Sequence, residues 1–181
     1  MIEALDIFPT TIMQLSIDPQ ACINLLEEIK SKKDMMRIVS SATQEQKTEN
    51  YITDYVSPVK LEWFEKIWDQ GVTKEFRENG KEISLDTYWS AIYSADGIHR
   101  KHTHSVGYLD PSANYSGILY LSNFGHTSFF SPNHTALVTQ YDHASIFSKM
   151  IFFPSTLLHE VKARAQDGNQ RYVVSFNAVV V

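Results

Sequence analysis

Residues 97–121 read GIHRKHTHSVGYLDPSANYSGILYL, and within them His102-Thr103-His104 sets two imidazoles two positions apart. Side chains two apart on a strand project to one face, with α-carbons roughly 6.6 Å apart. Imidazoles at that spacing can converge on one ion, and imidazole suits iron, zinc, copper and nickel. A pair alone is also what two surface histidines on an edge strand would show. A third candidate stands at His159, after the run Phe152-Phe153-Pro154-Ser155-Thr156-Leu157-Leu158. Arg171 follows twelve residues later and opens a last β-rich run, Tyr172-Val173-Val174-Ser175-Phe176-Asn177. Together the third histidine and the arginine favour a metal site over the surface reading.

Outward from this stretch the apolar period changes. Before Gly80 it is helical. Asp18-Pro19 marks a helix start, with Asp as N-cap and Pro in the first turn, and Cys22, Leu25, Leu26 and Ile29 form its stripe. Residues 4–17 read as two extended pieces broken at Pro9, and residues 40–53 read as a polar loop. Ser57-Pro58 predicts a second helix with Leu61, Phe64, Ile67, Trp68, Val72 and Phe76 on one face and Gly80 as its stop. After residue 82 the period is two. β-rich runs fall at 88–93, 98–106, 117–122, 127–130, 136–140, 146–153, 158–163 and 172–181. Eight short strands separated by Gly, Asn, Pro and Asp predict an all-β sandwich or barrel. The expected organisation is one domain over 1–181, with 1–82 as helical support and 83–181 as the β core.

Composition narrows the function classes. Sixteen basic against 21 acidic residues give a net charge of −5. The largest basic clusters are pairs, Lys32-Lys33 and Arg100-Lys101, so a nucleic-acid backbone is not the expected partner. Cys22 is the sole cysteine, which suits a reducing compartment. The start, MIEALDIFPTT, has no basic segment followed by an apolar one, and no apolar run approaches the ~20 residues that span a bilayer. A cytoplasmic protein is expected, and the sequons at Asn114 and Asn133 are read as chance matches.

The order H-x-(Asp or His), YSGILYL, Phe-Phe-Pro, His-Glu-Val and a final Arg before the last strand resembles the Fe(II)/2-oxoglutarate-dependent dioxygenases. HTH followed by SGILYL and closing on RYVVSFN is similar to a branch of them found in phages and marine bacteria. The resemblance covers roughly residues 88–179. It implies a double-stranded β-helix, Fe(II), and 2-oxoglutarate as cosubstrate. Carried over position by position, it implies His102, His104 and His159 as metal ligands, with His104 where most of the superfamily has a carboxylate. It implies Arg171 as the clamp on the far carboxylate of 2-oxoglutarate, with Tyr120 and Tyr93 beside it. Three imidazoles also suit zinc and nickel, which are expected to substitute on purification. Asp110 is the competing third ligand, in which case His104 would face the substrate. The substrate class stays open between a small molecule and a protein side chain, with specificity expected from residues 40–53, 108–115 and 126–143.

His99 has the opposite strand parity to His102 and is read as off the metal. His126, His134 and His143 fall near predicted turns and are read as solvated or lightly paired. A cupin is the nearest alternative, because Gly97 precedes His102-x-His104 and Pro154 precedes His159 by five residues. Tyr108 and Leu109 occupy the positions where cupins place a glutamate, which argues against it. A metal-free binding module on the same fold is the third reading. Metal content separates it from the other two, and 2-oxoglutarate turnover separates those from each other.

Overall fold

In the C-terminal half the runs Tyr115–Tyr120 and Lys149–Pro154 are buried at nearly every position, which is the pattern of strands covered on both faces. The computed structural model describes residues 2–7, 10–41, 49–95, 97–104, 114–132, 140–163 and 169–180. Its strands are β1 (Ile2–Ile7), β2 (Thr10–Ser16), β3 (Arg37–Ser41), β4 (Glu49–Thr53), β5 (Ile83–Tyr93), β6 (Ile98–His102), β7 (Tyr115–Tyr120), β8 (His126–Phe130), β9 (Gln140–Ala144), β10 (Lys149–Pro154), β11 (His159–Lys162) and β12 (Arg171–Val180). A large sheet runs β1-β2-β10-β7-β12-β5-β4-β3 and a small one β6-β11-β8-β9, and the pairings are antiparallel. The chain is mainly β and forms a double-stranded β-helix, with its helices packed on the outer face of the large sheet.

Alternation along the large sheet sorts residues into two cores. Met150 and Phe152 of β10, Leu119 of β7, and Val174 and Phe176 of β12 face the helices and meet Leu25, Phe64, Trp68 and Phe76. Ile151, Phe153, Ile118, Tyr120 and Val173 face the small sheet and meet Phe129 and Val161. Gly117 is needed where β7 passes under Phe176, because an added Cβ would strike that ring and the Ile151 carbonyl oxygen.

The first helix, α1 (Pro19–Ser31), starts where the sequence predicts, with the Asp18 carboxylate accepting from Gln20 N at 3.3 Å and Ala21 N at 3.2 Å. Burial raises the Cys22 thiol pKa to about 12, which keeps the thiol protonated. The second helical segment differs from expectation. It begins at Glu62, as α2 (Glu62–Ile67), and continues through a π-helical turn (Trp68–Val72) into α3 (Thr73–Glu78). Its cap comes from another element: Glu28 of α1 accepts from Glu62 N at 2.8 Å and Trp63 N at 3.0 Å. The six predicted face residues are all buried, and Gly80 ends the helix at φ 72°. No helix of the described residues is long and apolar enough to cross a membrane.

A second departure concerns residues 40–53. Rather than a loop, β3 and β4 pair and extend the large sheet beside β5, and residues 42–48 lie outside the described residues. The sheet therefore crosses the division at residue 82 suggested by the change of period. Strand β5 starts at Ile83, five residues earlier than expected, and β9 starts at Gln140, where the predicted run ends.

The hairpin is fixed by a buried carboxylate. Asp54 is 3% exposed; its Oδ1 accepts from Ser90 N at 2.6 Å and Ser90 Oγ at 2.9 Å, and its Oδ2 from Val59 N at 2.7 Å. Thr53 Oγ1 adds a bond to the Ser90 carbonyl at 2.7 Å. Asp54→Ala leaves two backbone donors without their acceptor and should cost about 2–4 kcal/mol. Urea denaturation should show a lower midpoint at unchanged slope, and an unaltered midpoint would contradict this role.

Candidate metal centre

The β6–β11 pair builds the centre. His102 lies opposite His159, but Val161 lies opposite His99, so two steps on β11 face three on β6. The extra residue is a bulge, which breaks strict alternation. Strict alternation therefore does not hold at His99, which turns towards His102, although the ligand atoms that converge are those of His102, His104 and His159. The His99 ring stacks on His102 with centroids 4.0 Å apart and planes 21° apart. Burial, with His102 and His104 adding to it, lowers the His99 pKa to about 3.

His104 also arrives differently from expectation. β6 ends at His102, so strand geometry does not aim His104. The residue is held by a backbone bond from its N–H to the Ser155 carbonyl at 2.9 Å. Its Nε2 still lies 3.2 Å from His102 Nε2, and the ligand atoms of His102, His104 and His159 all fall within 4.8 Å of one another. Nitrogens bound cis to an ion at 2.0–2.1 Å sit roughly 2.9–3.4 Å apart, so the closest pair already has ligand spacing.

Each imidazole is oriented through its other nitrogen. His102 Nδ1 donates to the Arg100 carbonyl at 2.6 Å, and His159 Nδ1 to the Leu157 carbonyl at 2.9 Å. His104 Nδ1 donates to Asn177 Oδ1 at 2.8 Å, an oxygen that also accepts from Ser116 Oγ at 2.8 Å. Neither a backbone carbonyl nor an amide oxygen can donate, so these nitrogens carry the protons and the Nε2 atoms keep their lone pairs. Burial, with Asn177 opposing it, lowers the His104 pKa to about 4, and burial puts His159 well below its ordinary value. All of this suits neutral imidazole donors. Asn177 ends the RYVVSFN motif, yet no pattern in the sequence assigns it a role; only its position across the barrel from His104 does. Asp110 lies outside the described residues.

Of the expected cosubstrate residues, Arg171 is 0% exposed on the inner face of β12. Its guanidinium carbon is 5.4 Å from the ring centroids of both Tyr93 and Tyr120. Nε donates to Ser145 Oγ at 2.9 Å and Nη2 to Thr127 Oγ1 at 3.1 Å, while Nη1 finds no partner among the described residues. Tyr120 OH donates to the same Thr127 oxygen at 3.1 Å, and burial raises its pKa to about 12, so the hydroxyl stays protonated. Thr127 and Ser145 were not flagged by sequence. His143 is buried rather than solvated, and lightly paired: it is 4% exposed on β9, with Nε2 3.3 Å from Gln14 Oε1 and its ring stacked on Tyr120 at 5.6 Å and 12°. His126 lies on β8 with a largely covered side chain, and His134 is outside the described residues.

A cavity of about 280 Å³ opens beside the histidines, with His99, His102, His104, Asn177 and Tyr93 in its wall. Tyr51 and Thr53 of β4 line it too, in the first of the three segments expected to carry specificity. Among the described residues, then, a buried guanidinium has one unpartnered amino group, and three imidazoles whose ligand atoms lie within 4.8 Å of one another converge beside the cavity.

No protein-family model matches this chain, and no curated protein matches it by sequence. Solved structures match its fold. The non-heme alpha ketoglutarate dependent epimerase SnoN from nogalamycin biosynthesis aligns with a TM-score of 0.70 at 10% identity, over 93% of this chain and 77% of that one. HygX from Streptomyces hygroscopicus, with nickel, 2-oxoglutarate and hygromycin B bound, gives 0.60 at 9% identity, over 93% and 82%. A Pseudomonas putida prolyl-4-hydroxylase gives 0.58 at 14% identity, over 93% and 92%. At such identities the likeness establishes the shared double-stranded β-helix.

Two outcomes follow for the centre. Replacing Asn177 with Leu should weaken Zn(II) binding about ten- to hundredfold, because His104 loses its orienting acceptor, while Asn177→Asp should retain binding. Equal Zn(II) affinities for parent and Leu variant by competition with a chromophoric chelator would contradict this. The second outcome concerns pH. Histidines with folded pKa values below the unfolded 6.5 take up protons preferentially on unfolding, so stability is complete above 6.5 and falls as pH drops towards 4. The melting temperature of metal-free protein should therefore be lower at pH 5 than at pH 7.5, and an equal or higher value would refute the neutral assignment.

Proposed function

We propose that this protein is an Fe(II)- and 2-oxoglutarate-dependent oxygenase that oxidises a C–H bond of a small molecule or a protein side chain. The observation that carries the reading is the set of three Nε2 lone pairs, each fixed by an oxygen acceptor at Nδ1, in a barrel that also buries Arg171, whose Nη1 has no partner among the described residues. His102, His104 and His159 would hold the ion. Bound iron and 2-oxoglutarate supply the oxidation: oxygen is reduced, 2-oxoglutarate is split to succinate and carbon dioxide, and a substrate C–H bond gains a hydroxyl oxygen.

The chain's own residues bind and orient. Arg171 offers Nη1 to the distal carboxylate of 2-oxoglutarate, and a guanidinium meets a carboxylate through short, charge-assisted bonds. Tyr120 and Tyr93 flank that cation and exclude water from it. Neutral ligands leave a divalent ion its full charge, which favours a dianionic cosubstrate. They also accept zinc and nickel, so aerobic preparations are expected to carry one of these and to need anaerobic Fe(II) loading.

The test is oxygen-dependent succinate release by the Fe(II)-loaded protein, with calorimetric binding of 2-oxoglutarate to the Ni(II)-loaded form. Arg171→Met should weaken 2-oxoglutarate binding by at least tenfold and leave Ni(II) affinity within about twofold, with Arg171→Lys intermediate. His104→Ala should reduce metal affinity sharply, and His104→Asp should keep it. Absence of 2-oxoglutarate binding in parent protein that holds Ni(II) would sink the reading.

A further inference from the structure

The cavity beside the histidines has a wall whose residue order is set by strand register. Tyr51 of β4 lies opposite Tyr93 of β5, and Thr53 lies opposite Ala91. Thr53 is also opposite Arg37 of β3, and Ala91 opposite Val173 of β12. A row Arg37–Thr53–Ala91–Val173 therefore crosses four strands on the inner face. Adjacent members sit roughly 4.8 Å apart, the spacing between strands.

Aromatic rings stand at both ends of the Thr53–Ala91 pair. On one side Tyr51 packs on Tyr93 with centroids 5.1 Å apart and on His99 at 5.3 Å. On the other, Tyr55 packs edge-on against Trp89 at 4.9 Å, and Trp89 lies 5.4 Å from His104. Tyr93 and Trp89 are four residues apart on one strand, about 13 Å between α-carbons. Between them Ala91 and Thr53 carry only small side chains. The result is a slot floored by small residues and bounded by rings, with His104 at one end and His99 at the other. Its volume of about 280 Å³ is near the lower end for small-molecule sites, enough for one or two rings.

Among the described residues that line the cavity there is no carboxylate, and Arg37 is the only Lys or Arg. Arg37 is exposed and forms no ion pair with another described residue. By register it stands one strand beyond Thr53, about a ring's length from Ala91. Aromatic rings also attract organic cations. Here a cationic ligand would meet Arg37 at one edge and, in the working site, a divalent ion at another, so the charge pattern selects against it.

The geometry points to a flat, one- or two-ring substrate bearing an anionic group, its ring over Ala91 and Thr53 and its anion on Arg37. This rests on the oxygenase reading only in treating the three histidines as the reacting end of the same chamber. Carboxylate and phosphate share the required chemistry.

The test titrates full-length protein loaded with Ni(II) and 2-oxoglutarate, after the affinities for both have been recorded in the same series. Four probes are compared: 2-naphthoate, 2-naphthyl phosphate, 2-naphthylmethylamine and the saturated decahydronaphthalene-2-carboxylate. At least one aromatic anion should bind at least tenfold more tightly than the amine and the saturated acid, and the tighter of the two identifies carboxylate or phosphate. Arg37→Gln, at an exposed position that leaves the fold intact, should weaken the aromatic anions fivefold or more and leave uncharged 2-naphthalenemethanol unchanged. The proposal is overturned if the amine or the saturated acid binds as well as the aromatic anions, if Arg37→Gln has no effect, or if no probe binds. Probe selectivity without 2-oxoglutarate binding would uphold the slot and overturn the oxygenase reading alone.

Discussion

The chemistry available to this fold depends on three Nδ1–H donors, each committed to an oxygen. Two of the acceptors are local. His102 and His159 each reach the carbonyl two residues back, so a short stretch of backbone is enough to aim them. The third is remote: His104 is held by Asn177, 73 residues away on β12. Without these bonds the imidazoles could turn either nitrogen inward, and the lone pairs would no longer converge. The barrel brings β6, β11 and β12 around one point, and that is what makes three ordinary histidines a candidate centre.

The sheets around it answer a second constraint, the burial of polar groups. Arg171 is fully covered, yet its Nε and Nη2 are satisfied by Ser145 and Thr127, and two tyrosine rings flank its charge. Asp54 is nearly as deep and ties three donors from β5 and the following turn. One group fixes the floor of the barrel interior and the other fixes the hairpin that walls the cavity. Burial makes each geometry specific, because an unpartnered polar atom inside the protein is costly.

Short-range pattern carried much of this. The α1 start, the buried face of α2 and α3, and the two-residue period after residue 82 are local consequences of side-chain shape and hydrogen bonding, and sequence exposes them. His102 and His104 were legible from their two-residue spacing, and His159 and Arg171 from their places beside apolar runs. The β3–β4 hairpin was not legible. Its strands take their place from bonds that Thr53 and Asp54 make to Ser90 and from the edge of β5, partners that a local window does not contain. The start of α2 was misplaced for the same reason, since its cap is Glu28 on another helix.

The sequence by itself singled out His102, His104, His159 and Arg171 as candidates for a metal and an anion, and determined that the chain would fold as a β-rich barrel braced by helices. Only the tertiary structure decided how they meet. A bulge in β6 turned His99 inward against parity, a backbone bond to Ser155 carried His104 past the end of its strand, and register across β3, β4 and β5 set Arg37 in line with Thr53 and Ala91. These outcomes come from long-range hydrogen bonds and packing, which depend on residues far apart in the chain and leave no periodic trace within it.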